Sequence, residues 1–264
     1  MKLELLVPTM HQKDTSLAEK MNIQTDAVIV NQTDVNEYQE YRHNDCRIRM
    51  YSFAERGVGL SRNTSLMRSA ADICILADDD MRFHDGYADV VRKAFAENPE
   101  ADVIIFNLVE TGVASRVSQT VRKVNWLNYM NYGAARIAFR RLAVSYKGIS
   151  FNLNFGGGTK HQCGEDTLFL RDCLAAGLTV IAVPVSIAVL LDDRPSTWFQ
   201  GYNRKYLFDK GVVLSLAHPR LAVLFCLYLT LRHSEYACDG MSRMGVFAEM
   251  CRGIQYVKKK EYYD

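Results

Sequence analysis

The chain has five prolines, two tryptophans and no marked excess of either charge. Lys and Arg number 32 against 30 Asp and Glu, a formal net charge of +2. A general nucleic-acid binder would carry a clear basic surplus, so no nucleic-acid partner is expected. The seven cysteines (Cys46, Cys74, Cys163, Cys173, Cys226, Cys238, Cys251) are odd in number and include no CxxC pair. That argues against a disulfide frame or a cysteine zinc site and for reduced thiols in a cytoplasmic setting. No run reaches the roughly 18 uncharged apolar residues of a spanning helix. The opening "MKLELLVPTM" is too short in its apolar part for a signal peptide and reads as a first buried strand. Repeats and low-complexity tracts are missing too.

What the chain does have is bulk. With 264 residues, 48% apolar and 23% charged, it can build one large α/β domain, or one domain with an appendage. Strands are expected at 3–8, 26–32, 46–53, 72–77 and 101–110, and helices at 14–22, 59–70 and 86–98. Strands alternating with helices imply parallel strands with helices on the sheet faces. In such sheets ligands bind beyond the carboxyl ends of the strands. The polar residues found there are Pro8 and Thr9, Asn31 and Gln32, and Asp78 to Asp80. Further on, a helix is expected from about Glu165, a stop at Gly177 and a strand at 178–183. The run "LAVLFCLYLTL" (221–231), bracketed by Arg220 and Arg232, reads as a buried helix.

Four stretches can carry chemistry. In "ICILADDDMRF" (73–83) three carboxylates follow a core strand. If the pleat continues, Asp78 and Asp80 point to one side and Asp79 to the other. Two carboxylates on one side can grip Mg²⁺ or Mn²⁺, which complete their shell with water and substrate phosphates. A solvated acidic turn fits the same letters. In "ERGVGLSRNTSLMRSA" (55–70) Arg62 and Asn63 fall in a first helical turn, which suits an anionic or nucleotide ligand or merely a capped helix. In "FGGGTKHQCGEDTLFL" (155–170) Gly156, Gly157 and Gly158 permit close backbone approach. Glu165 and Asp166 then open a helix, either as a base at a pocket rim or simply as acids favoured at a helix start. The helix start lowers a carboxyl pKa, whereas the neighbouring acid and burial raise it, and the sequence leaves the net sign open. Finally, "DDRPSTWFQGYNRKYLFDKG" (192–211) mixes Arg194, Trp198, Tyr202, Arg204, Lys205 and Tyr206. This composition suits sugar stacking and phosphate binding, or ordinary helix packing.

Together "LLVPTM", "GLSRNTSL", "ICILADDDM", "FGGGTKHQCGEDTLFLRDCL" and "STWFQGYNRKYLFDKG" resemble the bacterial family 2 glycosyltransferases, over about residues 2–211. The resemblance implies a GT-A fold, with a Rossmann-like mixed sheet flanked by helices. It implies a catalytic domain over 1–211, with a nucleotide-sugar half (1–110) and an acceptor half (111–211), and a helical extension over 212–264 packed on it. It implies inverting transfer from a nucleotide-diphosphate sugar, expected to be UDP-linked, to a hydroxyl of a glycan or lipid-linked glycan in surface polysaccharide biosynthesis. Asp166 would be the base, with Glu165 beside it. Asp78 and Asp80 would hold Mn²⁺ or Mg²⁺. Pro8, Thr9, Asn31, Arg62, Asn63, Asp78, Asp79, Gly157, Trp198 and Arg204 would meet the donor. Relatives carry an aspartate at the place of Ala77 when the last two aspartates are aligned, so the division of roles among Asp78, Asp79 and Asp80 stays open. The C-terminal helix is expected to pack within the protein or at a homodimer surface, with peripheral contact to an anionic bilayer as the alternative. Two other functions compete with transfer. One is a sugar nucleotidyltransferase, disfavoured because "VPTMHQKD" lacks the glycine-rich phosphate loop after the first strand. The other is a non-catalytic nucleotide-sugar binder.

Overall fold

The computed structural model describes residues 1–109, 118–191, 201–237 and 240–259. The amino-terminal half is built from β1 (Leu3–Met10), the single turn α1 (Leu17–Lys20), β2 (Asp26–Gln32), β3 (Glu37–His43), β4 (Cys46–Phe53), α2 (Val58–Arg68), β5 (Ile73–Leu76), β6 (Met81–Phe83), α3 (Tyr87–Glu97) and β7 (Val103–Val109). There follow β8 (Arg122–Lys123), β9 (Ile137–Arg140), α4 (Arg141–Tyr146), α5 (Glu165–Ala175), β10 (Val180–Leu190), α6 (Arg204–Ala217), α7 (Ala222–Arg232) and α8 (Arg243–Lys258).

One mixed sheet orders these strands β3-β4-β2-β1-β5-β9-β7-β10-β6, with β8 pairing β10. β1, β2, β4 and β5 run parallel, as their apolar runs imply. β9 inserts antiparallel between β5 and β7. β3 closes one edge antiparallel to β4, and its "EYQEYRH" is exposed enough to show no core signature. The expected parallel pattern therefore holds for β1, β2, β4 and β5, while β3, β6 and β9 make the sheet mixed.

Strand alternation divides the core. Leu3, Leu5 and Val7 of β1 face the layer that holds Tyr87 and Phe95 of α3. Leu6, Cys74 and Leu76 face the layer that holds Leu66 of α2 with Phe169 and Cys173 of α5. A third cluster joins α6, α7 and α8 through Leu207, Leu214, Cys226, Val246 and Met250. A fourth ties α6 to Phe155 and Leu168. The anticipated division at 211/212 falls inside α6, so the helical layer starts at Arg204. The 221–231 run is a helix, but not a buried one. Ala222, Cys226 and Thr230 face inward, while Leu224, Leu227, Tyr228 and Leu231 stand exposed. No helix among the described residues is long and apolar enough to cross a membrane.

Candidate active site

The carboxyl ends of β1, β2 and β5, the start of α2 and the glycine-rich loop before α5 surround a cleft of about 570 Å³. Pro8, Thr9, Arg62, Asp78, Asp79, Asp80, Gly157, Glu165 and Asp166, all singled out in the sequence, line it.

The pleat does not persist into the aspartates. β5 ends at Leu76, and the Met81 N–H donates to the Asp78 carbonyl at 3.3 Å, closing a turn. The three carboxylates therefore fan out instead of alternating. Asp78 Oδ1 accepts from Arg62 Nη2 at 2.8 Å. Asp79 Oδ2 accepts from the Thr9 hydroxyl at 2.7 Å, tying the end of β1 to this turn. The Asp80 carbonyl accepts from the Leu191 N–H at 2.7 Å, which anchors the turn to the end of β10.

Arg62 is the centre of the arrangement. Its side chain is 3% exposed, and its second nitrogen, Nη1, donates to Glu165 Oε1 at 2.8 Å. The ring of Phe151 lies 5.5 Å from the guanidinium carbon. Burial would lower the Arg62 pKa, but Asp78, Glu165 and Asp166 together hold it above its usual value. The Glu165 carboxyl is pushed up to about 7 by burial and by neighbouring Asp166, against the pull of Arg62. At Glu165 desolvation thus outweighs the groups that lower the value.

The loop before α5 is shaped to bring these acids in. Gly156 has φ +94°, and a Cβ there would fall 2.8 Å from Glu165 Oε2 and 2.4 Å from Val58 Cγ1, so only glycine lets the loop lie against the acid. Gly157 offers its carbonyl to the Val58 N–H at 3.0 Å, clasping the loop to the start of α2. His161, 1% exposed, anchors the other side: its Nδ1 donates to Asp209 Oδ1 on α6 at 2.7 Å. Burial would raise the Asp209 carboxyl, but donation from His161, Lys205 and the Gln162 N–H holds it below its ordinary value.

Three residues expected at the donor do not line the cleft. Asn31 is buried and fully engaged, accepting from the Gln12 N–H at 2.9 Å and donating to the Gln12 carbonyl and the Ser52 hydroxyl. Asn63 grips the backbone of Phe151 at both ends, at 2.8 and 2.9 Å. Arg204 opens α6 in an exposed position. Trp198 lies outside the described residues. Conversely Gln32, Arg56, Arg136, Gln162 and Cys163 join the lining. Gln32 sits at the end of β2, where its position marks it, whereas Arg136 follows an irregular stretch that carries no motif. Burial pushes the Cys163 thiol up to about 11, which disfavours the reactive thiolate.

Three solved structures of TarS from S. aureus are similar to this chain. TarS 1-349 in complex with UDP-GlcNAc matches with a TM-score of 0.64 and 14% identity, covering 91% of this chain and 75% of that one. TarS 1-349 in complex with UDP matches with a TM-score of 0.60 and 13% identity, over 100% and 93%. A longer TarS chain matches with a TM-score of 0.61 and 13% identity, but this chain spans only 44% of it. No protein-family model matches the sequence, and no curated protein does. At such low identity the likeness is one of fold, and the fold is GT-A.

Proposed function

We propose that the protein is a glycosyltransferase that moves a sugar, with inversion, from a UDP-linked donor to a hydroxyl of a glycan or lipid-linked glycan. The observation that carries this reading is that Asp80, at the end of the core strands, and Asp166, at the start of α5, line one cleft, where Arg62 bonds Asp78 of the first acidic stretch and Glu165 of the second. The shared fold supports it, since the similar TarS structures hold UDP-GlcNAc and UDP.

A divalent ion fits this donor set only as a shared one. The described residues contain no cluster of three ligating side chains, and Asp78 already gives one oxygen to Arg62. Asp78 and Asp80 supply hard carboxylate oxygens on the cleft wall, and a Mg²⁺ or Mn²⁺ site needs only one or two of these when phosphates and water complete it. When bound, such an ion would neutralise charge on the diphosphate.

The protein's own groups do the rest. The Asp166 carboxylate takes the proton of the acceptor hydroxyl as that oxygen bonds to the anomeric carbon. The bond from that carbon to the diphosphate oxygen breaks, and the nucleoside diphosphate leaves with the electron pair. Arg62 sits where it can follow the growing negative charge. Glu165, held by Arg62, keeps that cation aimed into the cleft. The exposed apolar face of α7 favours an acceptor carried on a lipid.

The test is incubation with a set of UDP-sugars, UDP-GlcNAc among them, with Mn²⁺, following release of UDP, alongside calorimetric titration with UDP. Binding and release are expected. No binding of UDP at millimolar concentration would overturn the reading.

A further inference from the structure

A second cavity, of about 860 Å³, opens between α6, α7, the turn at 234–236 and the 122–131 segment. Its wall carries the cations Arg122, Lys210 and Arg232 and the phenol rings of Tyr206, Tyr228 and Tyr236. The Lys210 ammonium lies 5.5 Å from the centre of the Tyr206 ring. Tyr206 and Tyr236 pack edge to face at 5.9 Å. The one acid among the described residues of the wall, Glu235, already accepts from His233 Nδ1 at 2.6 Å. None of the three cations forms an ion pair among the described residues, where they outnumber the acid on the wall three to one.

This cavity adjoins the first. Asp166 lines the cleft and the next residue, Thr167, lines the second cavity. Asn131 belongs to one wall and Gly133 to the other, and a Cβ at Gly133 would lie 3.6 Å from Asp166 Oδ2. On α6, Val213 occupies the space beside Gly164, and Lys210, one turn earlier, is near enough to Asp166 to interact with it electrostatically. A molecule lying along the tyrosines can therefore present a hydroxyl at the start of α5.

We infer that the second cavity holds the acceptor and that the acceptor is an acidic glycan. Tyrosine faces stack on sugar rings, and two guanidinium forks and an ammonium on one wall match phosphate or carboxylate groups spaced along a chain. This inference rests on the proposed transfer reaction for its role, but not for the binding it predicts.

The test is calorimetric titration of the full chain with three oligosaccharides: neutral maltoheptaose, its phosphate ester, and a hexamer of galacturonic acid. At least one acidic probe is expected to bind about tenfold or more tighter than the neutral one, and to weaken as salt rises. Arg122→Gln and Arg232→Gln change exposed side chains outside the core. Each is expected to cost the acidic probe about threefold or more, and Lys210→Gln about tenfold, with UDP affinity unchanged in all three. Equal or tighter binding of the neutral sugar, no binding of any probe, or variants that bind acidic sugars like the parent would each overturn the inference. Failure to bind UDP alone would overturn the donor reading and leave the acidic-glycan result standing.

Discussion

Asp78 and Glu165 share one buried cation: Arg62 donates to each at 2.8 Å. The acidic turn after β5 and the acidic start of α5 are thereby locked to a single side chain on α2. Removing one partner of a buried ion pair leaves an uncompensated charge, which typically costs about 3–5 kcal/mol. Arg62→Met is expected to lose stability of that order in urea unfolding. Adding Glu165→Gln to it should recover part of the loss, since the orphaned charge is then gone. Equal midpoints for the parent and Arg62→Met would show that the bridge holds nothing together.

The raised Glu165 pKa makes a signed prediction about pH. Its folded value is about 7, above the ordinary glutamate value of 4.5. The folded state therefore binds this proton more tightly than the unfolded chain does. Its contribution to stability is fully present below about pH 4.5 and is lost as pH rises through 7. The effect is at most about 3 kcal/mol, since a tenfold difference in proton affinity between the folded and unfolded chain is worth about 1.4 kcal/mol. Glu165→Gln should remove that slope. The measurement is the difference in unfolding free energy between parent and variant from pH 4.5 to 8, which cancels the opposing groups elsewhere. A difference that stays flat across the range would contradict the raised value.

Much of this arrangement is legible in the sequence, and the reasons are local. "ICILADDD", "GLSRN" and "GED" each join an apolar or glycine-rich run to charged letters, and such junctions fall at strand and helix ends. The cleft collects those ends. What cannot be read depends on long-range partners. Nothing in "EYQEYRH" marks an edge strand, and nothing before "IAFR" announces an antiparallel insertion between β5 and β7. Asn31 and Asn63 carry the right chemistry for a ligand, but their hydrogen bonds go to Gln12, Ser52 and Phe151, segments chosen by the fold. The exposure of α7 is hidden because an apolar run reads the same whether one face or every face is covered.

If Asp166 takes the acceptor proton, Asp166→Asn should lower the turnover of sugar transfer by about 10²–10⁴-fold. UDP affinity should stay near that of the parent. If Asp80 holds the divalent ion, Asp80→Ala should behave in the opposite way, weakening UDP binding in Mn²⁺ and leaving metal-free binding unchanged. The two are separated by measuring kcat with a saturating UDP-sugar and UDP affinity with and without Mn²⁺. Loss of UDP affinity in Asp166→Asn as large as its loss of rate would remove Asp166 from the role of base.

α6 and α8 meet through glycines, and here steric space and helix propensity predict opposite signs. A Cβ at Gly211 would fall 1.9 Å from the Met250 carbonyl oxygen, and one at Gly253 would fall 2.1 Å from that of Phe208. Both obstacles are backbone, so neither can swing aside, and the helices must separate. Gly245, also on α8, would meet only side-chain atoms, Met241 Cγ at 3.1 Å and Ser242 Oγ at 3.6 Å. Alanine in a helix interior is favoured over glycine by about 1 kcal/mol when nothing is in the way. Overpacking usually costs about 1–3 kcal/mol. Gly211→Ala and Gly253→Ala are therefore expected to lower Tm, while Gly245→Ala leaves it unchanged or raises it. Because α6 also carries Asp209, which anchors His161 of the glycine-rich loop, the two destabilised variants should weaken UDP binding as well. Thermal unfolding with and without UDP reads both effects, and a rise in Tm for Gly211→Ala would mean that the two helix backbones do not meet at this glycine.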